Sequence, residues 1–419
     1  MKIRLVKLPF YVKLLIFFAC TDIYLVSGIK ITYLFAVPIM LALINRGGGV
    51  QRTKENVLLL FWFASYFLSI GHVISWSDFI IVVIGQLVLF VIYFYFSSVR
   101  TLEKLSRIDY FFQLSLYFMV ILGLIQLLLY YVIGSTWGIS HVTHGVGLPR
   151  SAALCLEPDW YGVICMMALL FMLMNITNKE RFFGKKTDYV IIFLSGTALV
   201  LNLTRAAWVG TVGAVLFVLF IGSGKIGSKM RRRIVRVIIL AIPLVFVTGL
   251  VLSYTSPDIF LKLATRLNIR LWTTNDGGAT GSRTAAINVM LHYFKLHPFT
   301  GNGVGGMGEI SSNNALLKML GYDYQINAGR GSANIFITNL FDVGIIGTAF
   351  LVTFFGVIFK KGIGAYRKTG DYKLLTYIVV LIGLLVDFQF NNGLRQAYVW
   401  IILGVILSYV KLDRANTQV

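Results

Sequence analysis

Apolar runs of helix length recur along almost the whole chain, each closed by a short polar or basic break. Crossing the ~30 Å hydrocarbon layer of a bilayer takes about 20 residues of helix. On that scale, with allowance for shorter or tilted segments, the pattern predicts about twelve spans. They fall at 10–27, 30–46, 56–74, 79–97, 110–134, 153–175, 187–203, 206–222, 233–253, 333–358, 373–389 and 395–411. The runs are continuous rather than alternating, so each satisfies its backbone hydrogen bonds within itself as a helix, and a barrel is excluded. The expected fold class is all-α, a polytopic integral membrane protein of about 12 transmembrane helices. One interval breaks the rhythm: from Ser253 to Ser332 the chain stays polar for far longer than a turn requires. It divides the chain into helices over 1–253, a loop or cap over 254–332 and helices over 333–419, expected to form one integrated membrane domain.

Composition agrees, with 57% apolar and 13% charged residues. A net charge of +21 would suggest nucleic acid in a soluble chain, but its distribution gives another reason. With the N-terminus placed in the cytoplasm, every inner segment is basic, from Lys2, Arg4 and Lys7 through Arg231, Arg232 and Arg233 to Lys411 and Arg414. The outer segments are nearly free of Lys and Arg apart from single residues and the long loop, the asymmetry that orients membrane proteins. Both termini are therefore expected inside, the long loop outside, and no nucleic-acid partner is required. Cys20, Cys155 and Cys165 lack the spacing of a metal site or a disulfide framework. The first apolar segment has no small-residue cleavage site and reads as a retained helix.

The outward cations are what topology leaves unexplained. Arg150 precedes Glu157-Pro158-Asp159, where Pro158 suits the first turn of a helix and the two carboxylates complement its dipole. Arg205 lies in Asn202-Leu203-Thr204-Arg205, a polar break between two apolar stretches; it either snorkels to headgroups or serves a function. In the long loop, Ile287, Met290, Leu291 and Phe294 repeat at helical spacing opposite Asn288, His292 and Lys295, which predicts an amphipathic helix over Thr284 to His297, stopped by Pro298, with Arg283 at its start. The two histidines also suit the polar face of such a helix with no further role. The following Gly301-Asn302-Gly303-Val304-Gly305-Gly306 lacks the Lys-Ser/Thr ending of a nucleotide loop, so its glycines suit close packing or a hinge. Asn334, Thr338 and Asp342 share one face of the next span, and Arg330 and Arg395 flank the last spans. If the topology holds, Arg150, Arg205, Arg283, Arg330 and Arg395 meet in one outer layer. Guanidinium groups bind phosphate through paired hydrogen bonds and stay charged, so a lipid-linked pyrophosphate at the interface is an apt ligand. The external segments hold no acidic metal-binding cluster, so neither metal nor cofactor is expected.

Gly281-Ser282-Arg283, the run His297-Pro298-Phe299-Thr300-Gly301-Asn302-Gly303, Ala333-Asn334 and Gly344-Ile345-Ile346-Gly347, set in this helical layout, resemble the O-antigen ligase/polymerase superfamily. Within it the chain is most similar to a Wzy-type O-antigen polymerase. The resemblance implies transfer of a growing glycan from undecaprenyl pyrophosphate to a lipid-linked repeat unit on the periplasmic side of the bacterial inner membrane, with a chain-length regulator as partner. Ligases of the family carry a histidine before the asparagine at the start of this helix, and Ala333 stands here instead. Glu157, then His297, is the candidate base; Arg150, Arg205, Arg283, Arg330, Asn334 and Arg395 are the candidate ligands of pyrophosphate and glycan. The rival readings are an O-antigen ligase and a lipid-linked oligosaccharide flippase.

Overall fold

The computed structural model describes residues 8–26, 29–45, 52–141, 149–178, 180, 182–221, 232, 261, 279–319, 321 and 334–417. The predicted span at 233–253 and most of the long loop lie outside them. The chain forms two compact units, one of residues 1–112, 281–381 and 388–419, the other of 113–280 and 382–387.

The first unit opens with α1 (Phe10–Ala19), an antiparallel hairpin of β1 (Tyr24–Val26) and β2 (Ile29–Lys30), a 3-10 turn over Ile31–Phe35 and α2 (Ala36–Asn45). The sequence predicts one span at 30–46; its first third, residues 30–35, is instead the end of the hairpin and the 3-10 turn. Lys30 is the reason, because a buried ammonium needs partners. It is only 5% exposed, lies 2.5 Å from the Asp22 carboxylate and donates to Gln396 Oε1 at 2.7 Å. Next come α3 (Lys54–Leu68), a 3-10 turn over Ile70–His72, α4 (Trp76–Ser97) and the start of α5 (Leu102–Ile133).

Later residues of the same unit supply most of α9 (Ala279–Leu296), α10 (Met307–Ser312), α11 (Asn314–Met319), α12 (Ile335–Thr369), most of α13 (Tyr372–Asp387), a 3-10 turn over Gly393–Arg395 and α14 (Ala397–Thr417). α3 lies along α12, joined where Trp62 Nε1 donates to Asn339 Oδ1 at 3.0 Å and where Lys361 pairs with the buried Glu55 carboxylate. α14 lies along α4, and Gly404 allows the approach: a Cβ there would sit 2.9 Å from the Tyr93 carbonyl oxygen.

The second unit holds the rest of α5, β3 (Ile139–His141) paired with β4 (Pro149–Ser151), α6 (Pro158–Thr177), α7 (Lys185–Leu201) and α8 (Arg205–Ile221). α6 is buried on nearly every side. A helix apolar all round with no lipid face is the centre of its bundle. Its few polar groups are matched by α5: Asn175 donates to Gln113 Oε1 at 2.7 Å, and the Tyr161 hydroxyl donates to the Val120 carbonyl at 3.0 Å.

Helices dominate the described residues, and the all-α membrane character stands, although β1 lies within the predicted span 10–27 and a 3-10 turn within 56–74. By length and composition, α4, α5, α6 and α12 are long and apolar enough among the described residues to cross a membrane.

Candidate functional site

In the second unit the polar break after α7 is a built turn. Leu203 takes φ 61°, a left-handed conformation that L residues with a Cβ rarely adopt. Such backbone persists where its surroundings hold it. Arg150, reaching from β4, does so: its Nε donates to the Asn202 carbonyl at 2.7 Å and its Nη2 to Thr204 Oγ1 at 2.8 Å. The same Nη2 pairs with Asp159 Oδ1 at 2.5 Å in the first turn of α6. From the other side Asn202 Nδ2 donates to the Pro158 carbonyl at 2.7 Å. Gly162 lets α6 reach the turn, since a Cβ there would lie 2.6 Å from Thr204 Cβ. Arg150, which sequence left without a structural reason, is the clamp of this turn. Arg205 follows as the first residue of α8, half-buried, at a helix end whose dipole favours anions. Glu157 is exposed at the N-cap position of α6, and its side chain makes no capping bond. Arg150, Glu157 and Arg205 are therefore gathered around one turn.

A second clamp in this unit precedes the first. Ala153, at φ 50°, exchanges paired hydrogen bonds with the Gln126 amide, accepting at 3.0 Å and donating at 2.9 Å. β4 is thereby held to α5 just beyond Arg150.

In the first unit the loop after α9 enters a break in α12. Gly344 has φ 67° and ψ −168°, which interrupts the helix. In an unbroken helix the amides of Ile345 and Ile346 would donate to the carbonyls of Phe341 and Asp342. Here those amides donate to Pro298 and Phe299, at 2.8 and 3.4 Å. The abandoned Phe341 and Asp342 carbonyls accept from Asn302 and Gly303 N–H, at 2.8 and 3.1 Å. Every group freed by the break is matched by the loop, as burial demands. Asn302 locks the arrangement, its Nδ2 donating to the carbonyl of Tyr293 at 3.1 Å. The glycines are required by contact: a Cβ on Gly344 would meet the Phe299 carbonyl oxygen at 2.3 Å, and one on Gly301 the Asp342 carbonyl at 2.5 Å. Two of the motifs that carry the family resemblance, 297–303 and 344–347, are thus two halves of one device.

α9 is helical as expected, but its buried face is rotated from the predicted stripe. Ala285, Ala286, Val289 and Met290 pack with Phe341, Met307, Ile310 and Leu317, while Leu291 and Phe294 are only partly covered. The small Ala pair permits the closest approach and decides the face. His297, just past α9, stacks on His72 with ring centroids 3.6 Å apart and planes 15° from parallel. Burial first, and His72 second, push the His297 imidazole below the ordinary histidine range, which favours its neutral form.

Asn334 caps α12: its Oδ1 accepts from Phe336 and Ile337 N–H, at 2.8 and 3.1 Å, and its Nδ2 donates to Gln389. Its amide is fully used within the protein. Arg395, half-buried, lies within electrostatic reach of Asp342, Tyr33 and Tyr66. Arg283 is in the first turns of α9; its side chain and the whole of Arg330 lie outside the described residues. Sequence reasoning missed His72, enclosed in the predicted span 56–74, and Lys30, enclosed in 30–46. A hydropathy window averages such residues away. Among the described residues, no three His, Cys, Asp or Glu side chains are grouped as a metal ion would need.

No curated protein matches the chain. Residues 190–352 match the family model described as O-antigen ligase. The matched stretch includes Arg205, Arg283, His297, Arg330, Asn334 and both halves of the loop-in-helix device, and leaves out Arg150, Glu157 and Arg395. Residues 190–352, about two fifths of the chain, are thus similar to the O-antigen ligase family, and the described residues include helices of membrane-spanning length.

Proposed function

We propose that the protein is a glycosyltransferase that polymerises undecaprenyl-pyrophosphate-linked O-antigen repeat units at the periplasmic face of the bacterial inner membrane, without a metal. The observation that carries the reading is the turn clamped by Arg150, which presents Arg205 at the start of α8. Fixed cations contribute most where charge accumulates in the transition state, and here that is the departing pyrophosphate. Arg205 holds the donor pyrophosphate while Arg150 keeps its turn in shape; Arg283, Arg330 and Arg395 are the further candidate cations for pyrophosphate or glycan. The acceptor sugar hydroxyl attacks the anomeric carbon, and its proton passes to Glu157 or His297. The glycosidic carbon–oxygen bond to phosphate breaks with its electron pair leaving on undecaprenyl pyrophosphate, so the configuration inverts. A chain-length regulator is the expected protein partner.

Two features bear on the rivals. Broken helices of transporters leave main-chain groups open to ions or substrate. In α12 the groups freed by the break are taken by the loop, which favours an enzyme over a flippase. Ala333, where ligases carry histidine, favours polymerase over ligase. The test is extension of lipid-linked repeat units by purified protein in detergent. Arg205→Ala is expected to lower the rate at least about 100-fold, the scale of losing one fixed charge-stabilising donor. A normal ladder of products from that variant refutes the reading, and transfer to lipid A core but not to repeat units identifies a ligase.

A further inference from the structure

His297 is the second candidate to receive the proton, and a base is effective only if it is unprotonated and held in place. It lies in a segment gripped from several sides. Its neighbours Pro298 and Phe299 are bonded to α12 through Ile345 and Ile346. Further along, Gly303 and Gly306 lie against Val73 and Ile74, just after the turn that carries His72, and Gly305 lies against Asp78 in the first turn of α4. His72 therefore belongs to the wall against which the loop is seated, and its ring covers one face of His297.

The charged groups around this loop can be named. His292 and Lys295 on α9 are both exposed, and Glu309 is on α10. Asp78 is in the first turn of α4, below Gly305. The Asp342 carboxylate on α12 is engaged by the Gly305 amide and by the field of Arg395. Among these, His72 is the group in face-to-face contact with His297. Two stacked imidazoles cannot both be charged without repulsion, since like charges in contact disfavour the charged form.

We propose that His72 is a positioning residue for His297, fixing by stacking the orientation of the ring that accepts the proton of the acceptor sugar hydroxyl. The inference rests on the glycosyltransferase reading above and assigns the base within it. As pH falls, the rate declines when His297 takes up a proton. Removing the neighbouring charge makes that protonation easier, so the decline begins at higher pH.

The experiment compares wild type, His72→Phe and His72→Ala in extension of undecaprenyl-pyrophosphate-linked repeat units in detergent across pH 4.5 to 8. The same proteins carrying ring-labelled histidine are titrated by NMR, with His297→Gln identifying the resonance. His72→Phe keeps an aromatic ring on His297 and removes the charge. It is expected to retain its plateau rate within about twofold while both the acid limb and the His297 titration move to higher pH. His72→Ala removes the stack and is expected to lower the plateau about tenfold or more, because a loosely placed reacting group is costly. An unmoved His297 titration in His72→Phe overturns the inference, whatever the activity does. A moved titration with an unmoved acid limb overturns it too, by removing the step that His72 serves. An inactive wild type with a moved titration marks instead the failure of the glycosyltransferase reading.

Discussion

The two polar interruptions of the apolar helices are held by different means. The turn between α7 and α8 is held by side chains, chiefly one guanidinium that bonds a carbonyl, a hydroxyl and a carboxylate. The break in α12 is held by main chain, through amides and carbonyls exchanged with a glycine-rich loop. A side-chain clamp brings charge with it and can present more, as Arg205 shows. A main-chain clamp is nearly charge-free and depends on the absence of side chains. Phosphate chemistry thus suits the first region, and fixed geometry for the neighbouring His297 suits the second.

The comparison is broken most severely in the second region. Gly344→Ala puts a Cβ against the Phe299 carbonyl at a φ that alanine resists, so a loss of about 3 kcal/mol or more in stability is expected. The measurement is thermal unfolding of the detergent-solubilised protein; an unchanged midpoint would mean that the loop and helix are not in contact. Arg150→Ala acts next. It leaves Asp159 without this partner and releases the turn, with an expected cost of about 1–3 kcal/mol because the group is partly solvated. Extension of lipid-linked repeats should fall with it, and Arg150→Lys should recover little, since an ammonium cannot reproduce the guanidinium fork. Full activity in Arg150→Lys would show that charge alone, not the clamp, is needed. The smallest effect is a gain: Ala153→Gly relieves a left-handed residue in the second unit and should raise stability by about 0.5–1 kcal/mol, read from the same unfolding curves.

Much of the helical layout was legible because hydropathy is additive along a segment. Spans such as α4 and α6 announce themselves at ~20 residues. The hairpin at β1 and β2 did not, because Lys30 is made tolerable by Asp22 and by Gln396, the latter 366 positions away. The site was legible as a list of cations and not as an arrangement. Asp159 and Thr204 hold Arg150, and Asn334 caps its helix, partnerships that no spacing in the sequence announces. The stripe on α9 misled for a related reason: large residues dominate a periodicity, whereas Ala285 and Ala286 set how near two surfaces come. His72 had no signal beyond being a polar residue at the end of an apolar run.

Because segments 298–303 and 341–346 complete one another mainly through backbone atoms, with the Asn302 amide also donating to the Phe341 carbonyl, they are heritable only as a pair. A chimera that borrows either piece from a relative must import its complement, while Ile345 and Ile346, whose side chains point outward and take no part in the bonding, are free to drift.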